Sequence, residues 1–280
     1  MAALVEERQS QVCLGLDPDP GSLPREDVGA GTGPAEAAAG AVEAGCRRLI
    51  EAAGPACVAV KLQLACFERL GAPGWAALAG VAGDARAAGL LVIADGKRGD
   101  VPVTAAAYGQ ALVGRTETPW GPVEGLGADA FTTNPLPGGD ALEPLIEAAE
   151  EAGAGVFALV RTTNPGAEEI QDQPPDAPLH ERLAALVDRS AERLAGSGGL
   201  SGMGAVVGAT APDLVGRLRE LMPRAIFLMP GVGAQGGRPA DLGPAFGPGA
   251  AAALVPASRA IAGDPDPSAA AERLRAEVWR

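Results

Sequence analysis

Two lysines, Lys61 and Lys97, stand among 20 arginines in a chain of 280 residues. The composition is rich in Ala, Gly, Pro and Arg, so arginine supplies the ordinary surface positive charge. A lysine kept in that background points to work a guanidinium cannot do. An ammonium is compact and gives up its proton at an accessible pKa. Each lysine also ends an apolar, strand-like run, Cys57-Val58-Ala59-Val60-Lys61 and Leu90-Leu91-Val92-Ile93-Ala94-Asp95-Gly96-Lys97. Both read as active-site residues.

The second run opens the segment richest in charge, Asp95-Gly96-Lys97-Arg98-Gly99-Asp100. Asp95 and Lys97 are two residues apart, so on a continuing strand both side chains face one way. Asp100 follows past the strand end, where Pro102 suits the first turn of a helix. A carboxylate beside an ammonium keeps it protonated and fixes its position, as a proton donor requires. A strand-end cluster of salt bridges is the alternative from spacing alone.

Such residues need a scaffold. Short apolar runs at 11–17, 56–62, 90–95, 128–133, 154–160, 203–208, 225–229 and 251–256 read as strands. Helical periods fall between them near 35–53, 74–89, 103–114, 139–152, 179–196, 211–221, 239–246 and 267–278. Strict alternation implies parallel βα units, and one (β/α)8 barrel spanning 1–280 accommodates them all. An open doubly wound sheet would place a Gly-rich fingerprint after its first strand; Gly15-Leu16-Asp17-Pro18-Asp19-Pro20 is not one. In a barrel, function collects at the C-terminal strand ends. Those ends supply Asp17, Lys61, Asp95 with Lys97, Thr133-Asn134, Thr163, Pro230 with Gln235, and Ser258-Arg259. The loop Pro230-Gly231-Val232-Gly233-Ala234-Gln235-Gly236-Gly237 is expected to offer backbone N–H groups to a phosphate, with Arg259 adding a charged fork and Gln235 closing over it. The longer loops are 18–34 and 162–178, the latter either a mobile lid or a surface insertion.

Bulk properties narrow the partners. A net charge of −13 argues against nucleic acid or an anionic membrane, though not against a small anion met by locally gathered cations. With 47% apolar residues the chain can bury a large core. Met1 to Gln11 carries Glu6 and Glu7 and no apolar stretch of the secretory kind, and no run of 18 apolar residues suggests a membrane span. The expected setting is cytoplasmic. Cys13, Cys46, Cys57 and Cys66 lack metal or disulfide spacing. The one histidine, His180, sits before a helix in a Pro-rich stretch and reads as solvent-facing. No metal or other cofactor is expected.

Residues 92–104 resemble the D-x-K-x-x-D signature of the orotidine 5′-phosphate decarboxylase family. The resemblance continues through Leu16-Asp17, Val60-Lys61, Thr162-Thr163-Asn164-Pro165-Gly166, the loop from Pro230 and Ser258-Arg259. Chain length and loops are similar to the longer bacterial, type 2 branch. The resemblance implies a cofactor-free carboxy-lyase that converts orotidine 5′-monophosphate (OMP) to UMP and CO2, the last step of de novo pyrimidine biosynthesis. By the same resemblance Lys97 protonates C6 and Asp95 lies beside the substrate carboxylate. Asp17 and Lys61 meet ribose hydroxyls, and Thr163 (or Thr162) meets the pyrimidine edge. Pro230, Gln235, Ser258 and Arg259 hold the phosphate end. It further implies a homodimer in which Asp100, Val101 and Thr104 cross from the partner, Val101 lining the base pocket and Thr104 the ribose or phosphate side. Asn134 receives no role. Magnesium-dependent sugar-phosphate decarboxylases share the motif, but they call for a further acidic residue where this chain has Lys61. A silent nucleotide-binding barrel would be expected to lack one of the four charges.

Overall fold

A computed structural model of the chain describes residues 1–23, 33–196, 198–233 and 235–279. Eight parallel strands close into a barrel: β1 (Val12–Leu16), β2 (Ala59–Gln63), β3 (Leu91–Arg98), β6 (Ala130–Thr133), β7 (Gly155–Arg161), β8 (Ser201–Val207), β9 (Ala225–Leu228) and β10 (Ala253–Ala257), with β10 returning to β1. The other two strands, β4 (Arg115–Thr116) and β5 (Val123–Glu124), form an antiparallel hairpin outside the barrel. The barrel predicted from alternation is therefore the observed one.

Two apolar layers hold it. Between strands and outer helices lie Leu14, Leu62, Phe67, Leu78, Phe131, Leu145, Met203 and Phe227, all fully buried. Inside the barrel, Cys13, Ala59, Ile93, Ala130, Phe157, Ile226 and Leu254 form a second cluster. Because side chains alternate across a strand, the inner face continues two residues on. Ala59 is thus followed by Lys61, Ile93 by Asp95 and Ala130 by Thr132, and apolar filling gives way to polar groups at the C-terminal mouth. Gly204 lacks a side chain where a Cβ would lie 2.7 Å from the Phe157 ring. That space lets the largest inner side chain fit.

At the opposite end arginines bind carbonyls and tie chain segments together. Helix Ala2–Arg8, absent from the sequence reading, presents Arg8 to the carbonyl oxygens of Cys57 at 2.6 Å and Gly89 at 2.9 Å. Arg219 is buried and donates to the carbonyls of Met222, Ala225, Ala245 and Ala252 at 2.7–3.0 Å. Its guanidinium carbon stands 3.7 Å from the centre of the Phe227 ring, a cation–π contact.

Three expectations need correction. Residues 239–246 form a 3-10 helix rather than an α-helix, since Pro244 within it has no N–H to give. The helix expected over 179–196 ends at Ser190. His180 is buried, not solvent-facing, and its ring meets Asp172. The loop expected at 18–34 falls largely on 24–32, and Ala234 of the Gly-rich loop likewise lies outside the described residues. Among the described residues no helix is long and apolar enough to cross a membrane.

Candidate active site

Parallel pairing aligns the charges. Lys61 on β2 pairs in register with Gly15 on β1 and Ile93 on β3, and Gln63 pairs with Asp95. On β3 the register then shifts: Ala94 faces Phe131, but Arg98 faces Thr133, so extra residues are carried between them. Such a bulge re-aims side chains at a barrel rim. Lys97 lies in it with φ 48°, and its backbone N–H donates to Thr132 Oγ1 at 2.9 Å.

The result is a chain of charges centred on buried Asp95. Lys61 Nζ donates to Asp95 Oδ2 at 2.5 Å and lies 3.7 Å from Asp17 Oδ1. Lys97 Nζ donates to Asp95 Oδ1 at 2.6 Å, and the Thr132 hydroxyl donates to the same oxygen at 2.8 Å. Burial works against the charged form of Asp95, but Lys61 and Lys97 overcome it and hold its carboxyl down at about 2. Burial likewise opposes the Lys61 ammonium, yet Asp95 and then Asp17 raise its pKa above the usual lysine value. The side chain of Lys61 is 9% exposed while that of Lys97 is 40% exposed, so Lys97 is the ammonium that faces the opening.

That opening leads to a cavity of about 300 Å³. Its floor is apolar, with Leu159, Val206 and Leu228 from the inner face of the barrel. Lys61, Lys97 and Arg259 bring three positive charges to its lining, against the carboxylates of Asp17 and Asp95. A protein carrying −13 overall thus gathers a local positive excess that suits a small anion. Pro230, Gln235, Ser258 and both Thr162 and Thr163 also line it. Gly15 makes room for Ser258, since a Cβ there would lie 1.9 Å from its Oγ.

The Gly-rich loop differs from expectation in one respect. Gly233, Gly236 and Gly237 donate their N–H groups to carbonyls within the loop, so they shape it rather than offer themselves to a ligand. Positive φ at Gly231, Gly233 and Gly236 permits that tight path. Thr162 and Thr163 separate clearly. The Thr162 hydroxyl donates to Asn164 Oδ1 and accepts from Gln171 Nε2, while Thr163 packs its methyl toward Gly208 and Gly231.

Asp100, Val101 and Thr104 do not reach the cavity of their own barrel. Asp100 accepts from the Val101 N–H at 2.7 Å, and Val101 and Thr104 are exposed. Asn134 is also outside; its Oδ1 accepts from the Leu136 N–H in a turn. Three polar residues escaped the sequence reading: Thr132 and Gln63, both bonded to Asp95, and the buried Arg161 below the loop from β7. Strand alternation carried the signal for Thr132, which shares the inner face with Ala130. Among the described residues no group of three or more His, Cys, Asp or Glu side chains is arranged to hold a metal ion.

Comparison with known proteins agrees with this geometry. The profile of the orotidine 5′-phosphate decarboxylase / HUMPS family matches residues 10–274. The orotidine 5′-phosphate decarboxylase of Deinococcus radiodurans is 40% identical over 254 residues, covering 91% of this chain and 84% of that protein. Its counterpart in Rhodopirellula baltica is 39% identical over 259 residues, covering 90% and 83%. Among solved structures, the OMP decarboxylase of Leishmania donovani superposes with a TM-score of 0.71 at 33% identity, covering 99% of this chain and 96% of that one. Barrel, charge array and relatives converge, and the chain belongs to the orotidine 5′-phosphate decarboxylase / HUMPS family.

Proposed function

We propose that this protein is an orotidine 5′-monophosphate decarboxylase, a carboxy-lyase that forms UMP and CO2 in pyrimidine biosynthesis. The observation that carries the reading is buried Asp95 held between two ammoniums, with Lys97 turned toward the cavity. The name borne by the Deinococcus and Rhodopirellula relatives supports it.

Loss of CO2 from the substrate leaves an electron pair in an sp² orbital at C6, where the ring cannot delocalise it as an enolate. Lys97 faces that charge as it forms and then delivers a proton to C6, recovering its own from solvent. An ammonium about 4 Å from a developing carbanion contributes roughly 4 kcal/mol at an effective dielectric near 20. That amounts to about a thousandfold in rate. Preorganised hydrogen bonds, exclusion of water and phosphate binding energy expressed in the transition state supply the remainder. Asp95 lies beside the substrate carboxylate, and the repulsion is relieved as neutral CO2 departs. Because the two lysines bonded to it hold its carboxyl at about 2, it is ionised at neutral pH.

In the same reading Lys61 and Asp17 bind ribose hydroxyls. Thr163 meets the pyrimidine edge in preference to Thr162, whose hydroxyl is already committed. Ser258, Arg259, Gln235 and the Pro230 turn receive the phosphate. The protein acts in the cytoplasm as a homodimer of single-barrel subunits, 1–280. The partner supplies Asp100, Val101 and Thr104 to complete a Lys61–Asp95–Lys97–Asp100 array; their position outside their own cavity supports that arrangement.

Loss of OMP absorbance with purified protein, followed with and without EDTA and beside Lys97→Ala, tests the reading. Rapid EDTA-insensitive turnover that disappears in the variant is expected. Absence of turnover by the wild-type protein overturns it.

A further inference from the structure

Below the cavity, the loop that follows β7 is fastened by a set of polar contacts that the chemistry above does not use. Arg161, the last residue of β7, has a side chain only 6% exposed. Its Nε and Nη2 donate to Asp172 Oδ1 and Oδ2 at 2.9 and 3.0 Å, a two-pronged pairing that fixes direction as well as distance. Its Nη1 donates to the carbonyl of Thr162 at 2.5 Å. The His180 Nδ1 reaches the same Asp172 Oδ1 at 3.0 Å from the first turn of the helix Leu179–Ser190. Asp172 is therefore the hinge pin between a barrel strand and an outer helix.

A second ring of contacts closes on Thr162. Its N–H donates to Gln171 Oε1 at 2.8 Å, and Gln171 Nε2 donates to its hydroxyl at 2.9 Å. Gln171 itself is held through its carbonyl by the His180 N–H at 2.9 Å. The N–H, carbonyl and hydroxyl of Thr162 are thus all engaged by groups anchored on Asp172 or its neighbours. Thr163 is next in the chain, and its path follows. Its methyl lies where a Cβ on Gly208 or Gly231 would come within 3.0 or 3.1 Å, and its carbonyl accepts from Thr210 Oγ1. The loop base is thus pinned at 162–163 and at 171–172, which leaves 164–170 as the span between fixed points.

We propose that Asp172 is a positioning residue for substrate recognition, acting through Arg161 and Gln171 to aim Thr163 at the pyrimidine edge. The inference rests on the decarboxylase reading of the cavity. It predicts that Asp172 and Thr163 act as one unit, although Asp172 is not among the residues lining the cavity. Paired residues of one network give non-additive effects, whereas independent sites multiply.

The test measures kcat, KM and Tm for the wild-type protein, Asp172→Ala, Thr163→Val and the double variant, with OMP as substrate. Each single change is expected to lower kcat/KM about tenfold, mainly through KM, as loss of one oriented hydrogen bond would. The double variant is expected to match the worse single variant rather than multiply the two losses. Should Asp172→Ala fail to fold, Asp172→Asn replaces it in the same cycle, since it fills the same volume but sets an amide NH2 against an N–H of Arg161 and so breaks the two-pronged pairing. An unchanged kcat/KM in the Asp172 variant, or multiplied losses in the double, would overturn the positioning role while leaving the decarboxylase reading intact. A wild-type protein that does not turn over OMP overturns both.

Discussion

Each end of the barrel buries a cation, and the two are treated differently. At the mouth, Lys61 is paired with carboxylates, Asp95 at 2.5 Å and Asp17 at 3.7 Å, and its pKa is raised. At the base, Arg219 has four carbonyls and an aromatic face, and burial alone pulls its pKa down to about 10, still far above neutral. Full charges in contact are sensitive to protonation and to any charge that arrives with a ligand. Carbonyl dipoles around a guanidinium are indifferent to both and tie separate chain segments together. The mouth is built to respond, and the base is built to hold.

The sharpest way to break that contrast is Lys97→Ala. Turnover is expected to fall by about four orders of magnitude or more, since proton donor and electrostatic partner go together. Thermal melting is expected to fall only modestly, because Asp95 loses one of its two ammonium partners and keeps Lys61. A variant that retains a tenth of wild-type turnover would remove Lys97 from the chemistry.

Next comes a test of whether the mouth needs a second copy. Lys97→Ala and Asp100→Ala proteins, each inactive, are co-refolded and assayed. If Asp100 crosses between subunits, mixed dimers regain one intact site each and about a quarter of all sites recover in a symmetric assembly. No recovery would place Asp100 in the service of its own barrel.

Arg219→Leu addresses the base. Removing the guanidinium leaves buried carbonyls without donors, so urea unfolding should show a loss of about 3 kcal/mol. The kcat of the folded protein is expected to stay within about twofold. A large fall in kcat with unchanged stability would erase the division between the two ends.

The smallest effect is a pH dependence. Asp95 has its folded pKa depressed, so its contribution to stability is complete above the unfolded value near 4 and disappears as pH falls through about 2. The contribution is on the order of 2 kcal/mol. Asp95→Asn should flatten the acid limb of the stability profile. Lys61 works with the opposite sign: its raised pKa stabilises below the ordinary lysine value and is lost on the alkaline side. An acid limb unaffected by Asp95→Asn would deny the ion pair its linkage.

The mouth was far more legible than the base, for physical reasons. A lysine in an arginine-rich chain announces itself, and apolar runs punctuated by helices name a barrel. Thr132 shows the limit. The strand-end reading selected Thr133-Asn134, one residue along, and one residue reverses the face. Thr132 bonds to Asp95, whereas the Thr133 hydroxyl donates to the Arg98 carbonyl. β3 was expected to stop at residue 95 but runs to Arg98, because a bulge breaks the period of two on which strand reading relies. Nothing local distinguishes His180 as buried, since its partner Asp172 lies 8 residues away and is itself held by Arg161, 19 residues from the histidine in sequence. Arg219 is hidden for a similar reason. Its partners are backbone carbonyls, and carbonyls carry no residue identity.

The left-handed backbone at Lys97 has an evolutionary consequence. A side chain there costs about 1–3 kcal/mol that glycine would not incur. Lys97→Gly removes that cost together with the ion pair to Asp95, so it should melt higher than Lys97→Ala, which loses the pair and keeps the strain, and neither does chemistry. A lysine kept in that conformation bears a backbone cost that its ion pair with Asp95 and its chemistry together must outweigh.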